Sequence, residues 1–250
     1  MVRARPRPLP ALRSRRAGVG VAARFVAGPR TDDALRVAGE LVRAGRRVAL
    51  DHLPGRSTDP ADELHALALR IAAAGLGAEC ELTISVERLG AARAERVTRA
   101  AAEHGVGVCL TGPAGPVDAL AAQLPGVRTA VPCGDPGAHA RCHTLAGRDV
   151  RLVAGRGTVA DLALVRCVNV LMPAGGSLAV AAADPRLVAV VGERAAWYDR
   201  PPGSWEHVMP FGVRIGDQQR LVAAGVTVRV AVLSGPGAAA LLVKRLAGAA

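Results

Sequence analysis

The feature that most constrains this chain is an alternation. Short β-branched runs are followed by turn residues and then by Ala/Leu/Arg stretches of helical spacing, and the pattern recurs along the whole sequence. Strands are expected at 48–51, 80–84, 107–111, 129–133, 150–154, 178–182, 205–209 and 226–232. A leading helix is expected at 31–44. Further helices are expected at about 60–74, 91–104, 116–124, 137–146, 158–171, 185–195, 215–224 and 236–246. Parallel strands need crossovers of this length, and right-handed crossovers close such a sheet. Eight strand–helix units in 250 residues therefore predict one α/β domain, a (β/α)8 TIM-type barrel with a leading N-terminal helix. A doubly wound open sheet is the alternative, but no GxGxxG follows an early strand. The pair Gly18 and Gly20 falls before the first unit.

Local signals set several boundaries. Asp59 before Pro60 and Asp184 before Pro185 each read as a capping carboxylate with proline in the first helical turn, where its missing N–H costs nothing. Thr31, Asp32 and Asp33 supply cap oxygens and negative charge to the leading helix.

Half of the residues are hydrophobic but only 2% are aromatic, so the core must be made of Ala, Val and Leu. Lysine plus arginine number 32 against 21 acidic residues, giving a formal charge of +11, and Lys244 is the only lysine. The arginines are scattered beyond the N-terminus, aromatics to stack on bases are scarce and no DNA-reading motif is present. A solvated basic surface is expected, not a nucleic-acid interface. The five cysteines, Cys80, Cys109, Cys133, Cys142 and Cys167, are odd in number and form no CxxC pair. Reduced, buried, cytosolic thiols are expected. No apolar stretch is long enough to span a bilayer. The Arg- and Pro-rich segment 1–23 reads as a basic disordered arm able to touch an acidic membrane surface, and 24–250 as the barrel. The expected location is cytoplasmic, with peripheral contact to the inner membrane face through that arm.

In such a barrel, polar residues at strand C-termini carry function. The candidates, in strand order, are Asp51 and His52; Glu81, Thr83 and Ser85; Thr111; Cys133; Arg151 and Arg156; Asp184; Glu206 and His207; and Ser234, with Lys244 and Arg245 on the last helix. His52 and His207 could meet across the mouth, but no third metal ligand is evident. A Ser234, His207, Asp51 arrangement lacks a nucleophile elbow.

The segments VALDHLPGRSTDP, VRLVAGRG, LAVAAADPRLV, EHVMPFGVR, GVTVRVAVLSG and LLVKRLAG follow the order and spacing of the bacterial proline dehydrogenases. From about Arg24 to Gly248 the chain resembles a degenerate member of that family. The resemblance implies a distorted (β/α)8 barrel holding FAD. It also implies oxidation of L-proline, or a related imino acid, to pyrroline-5-carboxylate in proline catabolism, with electrons passed to a membrane quinone. Residue by residue, Arg151 matches an arginine near the reactive edge of the flavin, and Gly155 matches a kept glycine of the cofactor site. Arg245 and Lys244 match the two arginines that clamp the proline carboxylate. Lys244 keeps the charge but not the bidentate fork.

Other positions depart from the pattern. Ala154, Ala182, Ala183, Ala231, Ala130, Glu81, Thr111, Gly157 and Gly248 stand where the family has Lys, Thr, His, Tyr, Gln, Lys, Asp, Tyr and Glu. Flavin chemistry depends on hydrogen bonds and charge around the ring, so the departures imply weak or lost oxidation and a depleted active site. Three readings follow. The chain is an active flavoprotein, a non-catalytic paralogue kept as a small-molecule-binding or regulatory barrel, or a surface-binding protein acting through its basic arm.

Overall fold

The computed structural model describes residues 22–55 and 59–247. Its eight strands form a closed parallel barrel in sequence order, the fold class expected from the alternation. A 3₁₀ turn at Ala23–Phe25 and helix α1 (Thr31–Arg43) precede β1 (Arg47–His52). Then come α2 (Pro60–Ala73), β2 (Cys80–Ser85), α3 (Val86–Leu89), α4 (Ala91–Glu103), β3 (Gly107–Thr111), α5 (Ala114–Ala122), β4 (Arg128–Pro132) and α6 (Ala138–Thr144). The second half continues with β5 (Val150–Val153), α7 (Thr158–Leu171), β6 (Leu178–Ala181), α8 (Pro185–Trp197), β7 (Trp205–Pro210), α9 (Ile215–Ala223), β8 (Val228–Ser234) and α10 (Ala238–Ala247). The one-turn α3 and the 3₁₀ turn are too short for a periodic signal, and neither was expected. The arm expected over 1–23 lies outside the described residues except for Ala22, which is buried, and Ala23.

Caps behave as their chemistry dictates. Asp59 accepts from the Ala61 N–H and Asp184 from the Arg186 N–H, each at 2.8 Å. At α1 the cap is Arg30 rather than Thr31. Asp33 reaches back to accept from the Arg30 N–H at 3.0 Å, because a carboxylate in the third helical position can satisfy that donor without a Ser or Thr cap.

Alternation along each strand sorts side chains between the outer wall and the interior. On β1, β2, β3 and β8, residues such as Leu50, Ile84, Leu110 and Val232 point outward and pack with α1, α2, α4 and α5 in one apolar cluster. On β4, β5 and β6, Val131, Leu152 and Val180 point outward into a second cluster with α6, α7 and α8. Helix α9 buries only Gln218, whose amide donates to the carbonyls of Val213 and Pro210 at 2.8 and 3.2 Å. Helix α9 thus buries no apolar side chain of its own over β7, although His207 and Met209 are almost fully buried.

The ladders are uneven. Strands β1 and β8 pair over Arg47–His52, whereas β3 and β4 share only Cys109↔Arg128 and Leu110↔Thr129. Helix α1 packs outside β1 and β8, the place a helix following β8 would otherwise take. The chain therefore leaves β8 past Leu53 at the C-terminal end of β1. Only glycine fits at 235, where φ is +103° and a Cβ would collide with the Leu53 backbone. Among the described residues no helix is long and apolar enough to cross a membrane. All five cysteines are buried and unpaired.

Candidate functional site

The barrel interior has a floor and a mouth of different chemistry. The floor is a charged network built from the first two residues of several strands. Glu81 on β2 and Glu206 on β7 are almost fully buried, as are Arg128 on β4, Arg151 on β5 and Arg229 on β8. Arg128 bridges both carboxylates, at 2.9 Å to Glu81 and 2.6 Å to Glu206. Arg229 Nε lies 2.6 Å from Glu206, and half-exposed Arg47 adds a contact at 3.4 Å. Arg151 pairs with Glu81 and donates to the Thr83 hydroxyl at 3.3 Å. Burial alone would raise both carboxyl pKa values, but the arginines overcome it. Arg151 and Arg128 hold Glu81 below the usual range, and Arg229 and Arg128 hold Glu206 at about 2. Cys109 lies against the same network, and its burial pushes the thiol up to about 11.

Above this floor, the inward positions by strand alternation include Ala49, Asp51, Thr83, Ser85, Thr111, Ala130, Pro132, Val153, Ala181, Val208, Ala231 and Leu233. A cavity of about 290 Å³ opens at the C-terminal ends of β1 and β2, lined by Asp51, His52, Thr83, Ser85, Arg88 and neighbouring apolar residues. Ser85 also caps α3, accepting from the Arg88 N–H at 3.3 Å, and Arg88 reaches to 3.8 Å from Asp51.

The residues singled out in the sequence fall in several places. Arg151 is in the floor, turned onto Glu81, and Gly155 follows β5. A Cβ at 155 would sit 2.6 Å from the Ala160 Cβ, so helix packing alone demands glycine there. Lys244 is exposed on α10, and the Arg245 side chain lies outside the described residues. Arg156 is exposed, and Asp184 caps α8. Cys133 points into the outer apolar cluster with Cys142 and Cys167, not into the mouth.

His52 and His207 do not meet across the mouth. Both lie on the outward parity of their strands, which turns them away from the barrel axis. The Ser234, His207, Asp51 arrangement does not form either. Ser234 instead contacts His52 Nδ1 at 2.8 Å, and His52 Nε2 contacts Glu63 at 2.9 Å. Glu63, on α2, also accepts from the Gly55 N–H at 3.0 Å. This Ser–His–Glu chain was not expected, because Glu63 lies inside a helix and reads as its solvated face. Ser234 is fully buried and does not line the cavity, so the chain ties β1, β8 and α2 together rather than presenting a nucleophile.

No family model and no curated protein matches the chain. Solved structures do. Proline utilization A from Bdellovibrio bacteriovorus, inactivated by N-propargylglycine, is similar at a TM-score of 0.80 and 18% identity, over 91% of this chain and 32% of that one. Proline utilization A from Corynebacterium freiburgense matches at 0.70 and 12% identity, over 95% and 31%. A variant of the Bradyrhizobium japonicum protein matches at 0.68 and 15%, over 91% and 30%. The chain thus spans about a third of the length of these structures. The likeness is one of fold.

Proposed function

We propose that this chain is a proline dehydrogenase-like barrel in which FAD-dependent oxidation of L-proline is weak or lost, and which serves as a small-molecule-binding or regulatory barrel. The fold shared with proline utilization A supports the relationship, and the resemblance in sequence supplies the activity to be compared.

One observation carries the reading. Arg151, matched to the arginine near the flavin's reactive edge, is engaged by Glu81, which stands where the family has a lysine. Two like charges would keep that arginine free to face the mouth, whereas a carboxylate draws it into the floor. The mouth then offers little to a flavin. Ala130, Ala154, Ala182, Ala183 and Ala231 carry no side-chain donors, and Gly155 has a packing reason of its own. These residues do not fit the cofactor, and no redox step is assigned to them. Removing one preorganised donor typically costs about a hundred- to a thousandfold in rate, so several such absences leave little catalysis.

Arg245 and Lys244 are proposed to retain affinity for a carboxylate such as that of proline or a related imino acid. Electron transfer to a quinone, and contact of the basic arm with a membrane surface, belong to the active reading. The retained Arg245 favours that second reading. The absorption spectrum of the purified protein separates the two. A colourless, folded protein that reduces no dye with L-proline is expected. A yellow protein that reduces a dye only when proline is present would overturn the proposal.

A further inference from the structure

A second opening lies on the wall of the barrel, away from the mouth. A groove of about 590 Å³ lies between α8 and α9, outside β7. Its floor is the outward face of β7, with Trp205, His207 and Met209. One side is Val188, Ala189 and Gly192 of α8, and the other is Leu221 of α9 with the charged rim of Arg214, Asp217 and Arg220. The cause is visible in the sequence. The facing positions of α8 are small, and α9 is short and held by Gln218 instead of an apolar face. From Pro185 to Gly192 the groove follows two turns of helix, about 10 Å. Its volume is in the range of small-molecule sites, which run from about 300 to 1,000 Å³.

Three features specify what would fit. His207 is 1% exposed, and its Nδ1 is buried with no hydrogen-bond partner. Nδ1 is thus the ring nitrogen that the fold buries and leaves unpaired. Burial lowers the imidazole pKa to about 4, so at neutral pH the ring is uncharged and Nδ1 is left as one unused donor or acceptor. Such groups are rare in folded proteins because leaving them unpaired is costly. Trp205 stands edge-on to this ring, with centroids 5.0 Å apart. It supplies a flat apolar wall in a protein that has only two tryptophans. At the rim, Asp217 pairs with Arg214, at 2.9 Å, and with Arg220, and Asp184 lies within electrostatic reach of Arg214. The guanidinium groups therefore keep spare donors and a net positive charge.

We infer that this groove is a binding site for a hydroxyaryl carboxylate. The aryl body lies beside Trp205 and Met209, the hydroxyl reaches His207, and the carboxylate meets Arg214 and Arg220. Charge complementarity disfavours the chain's own N-terminal segment, which is as basic as the rim. The site is separate from the mouth and does not depend on whether flavin or proline binds there.

Calorimetry on the full-length protein tests this, together with the imidazole resonances of His207. The probes are para-coumarate, cinnamate, which lacks the hydroxyl, and para-coumaramide, which lacks the charge. Para-coumarate should bind saturably and shift the His207 signals, with each analogue at least about tenfold weaker. His207→Phe should abolish the preference for the hydroxylated probe, and Arg220→Glu should weaken para-coumarate by about tenfold or more. Gly192→Trp provides a variant that keeps every polar group. A Cβ at 192 meets nothing within 4 Å, so the indole should fill the groove and remove binding without lowering the melting temperature. Equal binding of all three probes, binding unchanged by Gly192→Trp, or no binding by the unmodified protein would overturn the site.

Discussion

The floor and the mouth of the barrel are built from the same strands but from opposite materials. Below, Glu81, Arg128, Arg151, Glu206 and Arg229 fill the interior with charge that is paired almost everywhere. Above, alanines at 49, 130, 181 and 231 line much of the interior, and the polar groups Asp51, Thr83, Ser85 and Arg88 gather on the β1–β2 side. Barrel interiors are more often packed with branched aliphatics, and functional groups gather at the C-terminal end. Here the polar groups have concentrated at the end that holds the fold together. A buried charge network of this kind is costly to break but is not in itself a source of activity. A retained arginine thus says little until its partner is known, since Arg151 belongs to the floor because of Glu81.

The paired charge of the floor is most vulnerable at Glu206. Glu206→Gln leaves Arg128 and Arg229 without their shared counter-charge and should cost about 3–5 kcal/mol in denaturant unfolding. Its pH signature follows from the depressed carboxyl. Glu206 contributes fully above the ordinary value of 4.5, and that contribution is lost as pH falls through about 2. The unmodified protein should therefore lose stability across that window, and Glu206→Gln should show a shallower slope there. Equal slopes would mean that the floor is not held by this carboxylate.

Arg151→Met should cost less, about 2 kcal/mol, because Glu81 retains Arg128 at 2.9 Å. The absorption spectrum of the protein should not change. Loss of a flavin band in this variant would return Arg151 to the mouth and reverse the reading of the site. Gly155→Ala should destabilise by about 1 kcal/mol through contact with Ala160, and adding Ala160→Gly should restore most of it. No recovery in the double variant would show that Gly155 is required for something other than helix packing. The smallest effect is expected at the mouth itself. Ala231→Ser, at a half-buried inward position, should shift stability by less than about 0.5 kcal/mol. A larger loss would reveal a mouth as tightly specified as the floor.

Much of the architecture was legible along the chain. The period of apolar residues, the Asp–Pro starts of α2 and α8 and the spacing of units are local properties, and all eight strands fall where the pattern placed them to within a few residues. The site was much less legible. His207 reads like any histidine on a strand, and nothing in its neighbourhood in sequence says that its buried Nδ1 lacks a partner. Glu63 reads as a surface residue of α2, and Ser234 as the end of a strand.

The sequence by itself therefore determined a (β/α)8 barrel, because strand and helix periodicity, caps and turn residues act over a few residues. Tertiary structure alone decided which charges meet. Arg151 and Glu81 are 70 residues apart, Arg128 and Glu206 are 78, and Ser234 and His52 are 182. Barrel closure and the register of each ladder bring such side chains within hydrogen-bond reach. Coulomb energy and desolvation depend on that separation and burial, not on distance along the chain.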